Sequence, residues 1–147
     1  MLRRLFRPAS RIARQERGAQ LVEFAIVVPV FLLLVMGIID FGRAYFSWII
    51  ITNGAREGAR VAAVGGDVTA VEDRVESAIT GLARNAAPVC PPLADQDWCV
   101  ETVNLQGTRG NPVTVQVRYN FRYILPAMAN LTSNVFSFNA ESTMRLE

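Results

Sequence analysis

The chain has 147 residues, room for one modest domain, and 51% of them are apolar against 19% charged. Positive mean hydropathy argues against disorder and fits an ordinary soluble enzyme poorly. Histidine is absent, which removes the commonest general base, the usual triad partner and the favoured imidazole ligand. No catalytic residue, cofactor, metal or small-molecule substrate is therefore expected.

The net charge of +2 hides a split. Residues 1–18 hold six arginines against Glu16, whereas the remainder holds nine arginines against twelve acids. A basic head that stops abruptly is a targeting or membrane-surface signal. A nucleic-acid grip would mix basic residues with aromatics or set them on a folded face, so no nucleic-acid partner is expected.

Residues 21–39 follow this head, nineteen residues with Glu23 as the one charge. At about 1.5 Å per residue such a helix nearly crosses a ~30 Å hydrocarbon core. Arginines precede it and Asp40 follows, so the positive-inside rule predicts a cytoplasmic N-terminus and an extracytoplasmic C-terminal part. The run exceeds a signal h-region, and Asp40-Phe41-Gly42-Arg43-Ala44-Tyr45 offers no small-x-small cleavage site. Glu23 within the run is costly unless paired or snorkelling to the headgroups. Pro29 removes a helix hydrogen bond and predicts a kink, which lipid tolerates better than water.

Helical spacing continues to residue 64, giving one helix over about 19–64, roughly 68 Å if straight. Gly54, Ala55, Gly58, Ala59, Ala62 and Ala63 form a small-residue face, with Gly54 and Gly58 as a G-x-x-x-G pair. Two occupants fit that face: the protein's own sheet or a partner helix. Arg56 and Arg60 share one side, and Glu57 can reach Arg60 three residues on. These charges fit a solvated face or an assembly contact.

Gly65-Gly66 stops the helix. Thr69-Ala70-Val71-Glu72 reads as a capping box opening a second helix over about 69–86. Its apolar side holds Val71, Val75, Ala78, Ile79 and Leu82, with Asp73, Glu76 and Arg84 on the wet side. Cys90 and Cys99 then bracket eight residues. Outside the cytoplasm a disulfide is the natural reading, worth about 2–3 kcal/mol, with two unrelated thiols as the alternative. The period next changes to two. Strands are predicted over 100–105, over 113–121 ending at Pro126, and over 135–145, with a turn cluster at 106–111. The expected fold is α+β, with a long N-terminal helix, transmembrane and then extracytoplasmic. It continues into a small domain with a second helix and a three- or four-stranded antiparallel sheet. The corresponding segments are a basic leader (1–18), the long helix (19–64) and the extracytoplasmic domain (65–147).

Gly18-Ala19-Gln20-Leu21-Val22-Glu23-Phe24 resembles the processing site of type IV prepilins, a basic leader ending in glycine before an apolar helix whose fifth residue is glutamate. Over residues 18–60 the likeness sharpens through Pro29, the Asp40-Phe41-Gly42-Arg43 segment and Asn53-Gly54-Ala55-Arg56-Glu57-Gly58-Ala59-Arg60. These residues resemble the TadE-like family of Flp (tight adherence) pilus assembly, whose hallmark is the A-R-E-G-A-R run, here Ala55 to Arg60. Thr143-Met144-Arg145-Leu146-Glu147 is similar to the family's usual ending.

The resemblance implies a pilin-like fold in the inner membrane and removal of the leader after Gly18 by a prepilin peptidase. It further implies pairing of Glu23 with the new amine of a neighbouring subunit. Partners would be other pilus subunits and the Tad assembly platform, with Pro29, Gly54, Arg56, Glu57, Gly58 and Arg60 as assembly positions. Major Flp pilins are far shorter than this chain, so the resemblance implies a minor pilin or pseudopilin in a pilus used for adhesion. The alternative is an uncleaved single-pass anchor presenting a periplasmic interaction domain. An enzyme would have to rest on Asp95, Asp97 and Glu101, which no further pattern supports.

Overall fold

The computed structural model describes residues 10–82, 90, 96–125 and 135–147. The chain forms two compact units, Met1–Ile38 and Ile39–Glu147. Helix α1 spans Ser10–Ala63, 54 residues with Pro29 inside it. It starts earlier than expected, because the Arg-, Ala-, Gln- and Glu-rich stretch before Gly18 consists of good helix formers.

The end of α1 is closed by two glycines. Gly65 adopts φ +86° and its amide donates to Ala62 O, while the Gly66 amide donates to Val61 O. This 5→2 and 6→1 pair satisfies carbonyls that a helix end leaves orphaned. The Glu147 amide donates to Ala63 O, so the last described residues tie back onto the same helix end.

Helix α2 spans Val68–Ala78. The N-cap is Asp67, whose side chain accepts from the Ala70 amide at 2.8 Å, not Thr69. The Gly65-Gly66 turn delivers Asp67 in the extended conformation a cap needs, two residues before the predicted box. The helix also stops at Ala78 instead of 86. Gly81 takes φ +88°, where glycine is the permissive residue. Ile79 still contributes to the core after leaving the helix, and Leu82 packs beside it. Arg84 lies outside the described residues.

Strands β1 (Trp98–Val103), β2 (Pro112–Arg122) and β3 (Val135–Arg145) form an antiparallel sheet of order β1-β2-β3. β1 is shifted two residues toward the N-terminus from the prediction. Asn104 at φ +62° ends it, and backbone pairing of Gln96 and Asp97 with Asn120 leads into its start. β2 ends at Arg122, before Pro126, which lies outside the described residues. Along β2, Val113, Val115, Val117, Tyr119 and Phe121 are buried and alternate with more exposed polar residues. This is the period-two pattern of a sheet wet on one face.

The inner face packs on Ile51, Ala55, Ala59 and Ala62 of α1 and on Val71 and Val75 of α2, all fully buried. The outer face is a polar ladder. Thr114 pairs with Thr143 at 2.8 Å, Ser137 donates to Asn120 at 2.7 Å, and Arg118 reaches Glu101 at 3.2 Å. Cross-strand pairs of this kind add modest stability and fix register. Cys99 is buried on that side and joined to Cys90 by a disulfide, with 5.5 Å between the Cα atoms.

Candidate functional site

In the first unit, α1 presents apolar side chains with nothing of its own against them. Leu21 is 69% exposed, Phe24 67% and Val30 64%. Gly18, Ala19, Glu23 and Pro29 lie on the same exposed segment. From Gly18 to Ala63 the helix is long and apolar enough to cross a membrane by length and composition. An apolar surface of that extent requires lipid or protein to cover it.

In the second unit, α1 begins with a charged pair of which the acid is buried in the fold. Asp40 is 3% exposed, although it follows the apolar run directly. Its Oδ2 accepts from the Ile124 amide at 3.0 Å and the Leu125 amide at 2.9 Å. Its Oδ1 accepts from Arg43 Nη1 at 3.0 Å. One carboxylate thus closes the backbone where it leaves β2 and holds its own counter-ion one turn along the helix. The Arg43 guanidinium lies 5.2 Å from the Phe121 ring centre, a cation–π contact. Ser47, also buried, donates to Arg43 O at 3.0 Å. Burial pushes the Tyr119 hydroxyl's pKa above its ordinary value, opposed by its hydrogen bond to Ser47 and by the Arg43 charge. From the sequence, Asp40 marks the end of the apolar run and Arg43 belongs to the segment that carries the resemblance, and neither is assigned this pairing. The available signal was a lone acid ending an apolar run with an arginine three residues later.

The run Ala55–Arg60 divides by face. Ala55, Gly58 and Ala59 are core, while Arg56 and Arg60 point outward. A Cβ on Gly58 would stand 2.5 Å from Val75 Cγ2 and 3.1 Å from Val115 Cγ1. A Cβ on Gly54 would stand 2.6 Å from Ile79 Cγ1. The G-x-x-x-G face is therefore occupied by the protein's own residues, from α2 and the residue that follows it as much as from the sheet. Glu57 reaches Arg74 of α2, not Arg60: Arg74 Nη2 donates at 2.6 Å and Nε at 3.1 Å to the same oxygen.

The Arg74 hydrogen bond first, and its charge second, hold the Glu57 carboxyl below its ordinary 4.5. The Ala70 amide and the Thr69 hydroxyl do the same for Asp67, below 3.8. Lowered folded-state pKa values mean stability that is complete above the ordinary values and lost as pH falls through the folded ones. The melting temperature should therefore decline on acidification below pH 4.5. Glu57→Gln should flatten the upper part of that decline; an acid limb identical to the unmodified protein's would count against the ion pair.

Among the described residues no group of three or more metal-ligating side chains comes together. No curated protein and no solved structure matches the chain. Residues 18–60, from the exposed apolar helix to the run that seats α2, match the family described as TadE-like protein.

Proposed function

We propose that this chain is a minor pilin or pseudopilin that takes part in building or initiating a Flp-type (Tad) pilus. The observation that carries the reading is the family match over residues 18–60, which opens at Gly18 and includes Glu23. The exposed apolar helix supports it, since a helix without internal partners is suited to a bilayer first and to other subunits later. In this reading residues 1–18 are a leader removed by a prepilin peptidase, and the long helix anchors the chain in the inner membrane. The second unit lies outside the cytoplasm. Glu23 pairs with the Ala19 amine of a neighbouring subunit, because two charges facing lipid each need a partner. Pro29 adapts the helix to its neighbours, and Arg56 and Arg60 offer outward charges to other subunits. Gly54, Glu57 and Gly58 act from within, seating α2 so that those arginines are held in place.

The test is the N-terminal residue and intact mass of the protein from membranes, with and without the cognate peptidase. A chain starting at Ala19 only when the peptidase is present is the expected result. A start at Met1 in both cases would leave an uncleaved anchor presenting an interaction domain, and the filament role would fall.

A further inference from the structure

Beyond the apolar run, α1 carries an aromatic stripe. Phe41 is 74% exposed, Tyr45 55% and Trp48 44%. Their rings stack in sequence, at 6.5 Å between Phe41 and Tyr45 and 6.1 Å between Tyr45 and Trp48. With Ala44 and Phe138 they line an open groove of about 290 Å³. Asp40 bonds the backbone at Ile124 and Leu125, so the end of the sheet lies beside the first turn after the apolar run. That end exposes Ile124 (49%) and Phe136 (51%).

Charge is missing from the same stretch. Between Glu23 and Arg56 the only fully charged side chains are Asp40 and Arg43. Asp40 is buried and paired, and Arg43 is held by Asp40 and Phe121. About 20 helical residues span the hydrocarbon, so counting from Phe24 puts its far edge near Arg43. Tyr45 then lies about 3 Å and Trp48 about 8 Å further along the helix axis, against a headgroup layer about 5–8 Å deep. Tyrosine and tryptophan favour that layer because each joins an apolar ring to a polar tip.

We propose that Phe41, Tyr45 and Trp48, together with Ile124 and Phe136, seat the second unit in the headgroup layer of the outer leaflet. A lipid surface covers this face while the protein is in the membrane. The inference rests on the membrane span of the proposed function and not on the cleavage after Gly18. The chain has two tryptophans, and Trp98, only 2% exposed, serves as an internal reference.

The test is fluorescence of the full chain in mixed phosphatidylcholine–phosphatidylglycerol vesicles, compared with Trp48→Phe, a conservative change at an exposed site. The emission absent from Trp48→Phe should lose about half its intensity to a headgroup-level nitroxide lipid and resist aqueous acrylamide. Free quenching by acrylamide with no effect of the nitroxide would put the face in water and overturn the proposal. Protection from both quenchers would mean that a protein partner covers it, and would overturn the proposal equally. Failure of the chain to float with the vesicles would instead remove the span itself.

Discussion

Asp40→Ala is expected to destabilise the second unit by about 2–6 kcal/mol, the sum of two orphaned amides at about 1–3 kcal/mol each. The carboxylate is 3% exposed, and its Oδ2 is the acceptor for both Ile124 and Leu125. Leu125 is itself buried, so no water readily replaces the lost acceptor. Loss of the Arg43 pair adds less, because that side chain remains 38% exposed and keeps its contact with Phe121. Thermal unfolding in detergent followed by circular dichroism should show a melting temperature lower by about 10 °C or more. Asp40→Asn keeps an oxygen that can accept both amides and loses only the charge, so its effect should be clearly smaller. Equal melting temperatures for Asp40→Ala and the unmodified protein would mean that the cluster does not hold the sheet to the helix.

Substitution at Gly58 is expected to cost more than the same substitution at Gly54, although both belong to one small-residue pair. The Cβ of Gly58→Ala would meet Val75 Cγ2 at 2.5 Å and Val115 Cγ1 at 3.1 Å. Both valines are fully buried and β-branched, so neither has a free rotamer to retreat into. Overpacking of this kind costs about 1–3 kcal/mol, offset by about 1 kcal/mol of helix propensity gained on replacing glycine. The Gly54→Ala methyl would meet Ile79 at Cγ1 and Cδ1; isoleucine is β-branched too, but Ile79 lies just past the end of α2, where the helix backbone no longer fixes its position. That side chain can shift, and the propensity gain then nearly cancels the strain. Gly58→Leu has no such escape and should expel α2, exposing the core to hydrogen exchange along Val71 and Val75. A Gly58→Ala protein as stable as Gly54→Ala would show that α2 is seated more loosely than its contacts imply.

These two sites mark where sequence reading reached its limit. The apolar span of α1 and the alternation of β2 are legible because each pattern is local, set by the 3.6- and 2-residue periods of the backbone. β3 and the disulfide between Cys90 and Cys99 follow from similarly short-range signals. The N-cap of α2 lies two residues before the expected Thr69, because Asp67 is an equally competent cap. The choice between them was made by the preceding glycine turn. For Glu57 the sequence offers Arg60, its neighbour three residues on, whereas the packing of α2 on α1 brings Arg74 into bonding distance.

The chain's amino-acid order alone determined a long apolar helix, an α+β layout with a second helix and an antiparallel sheet of three or four strands, and a family resemblance carried mainly by residues 18–60. Only the tertiary structure decided what Asp40 does, since its partners are backbone amides more than eighty residues away and a backbone amide carries no residue signature. It also decided that Gly54 and Gly58 receive the protein's own α2 and its exit. The absence of a side chain states that something comes close, and only the packed fold states what.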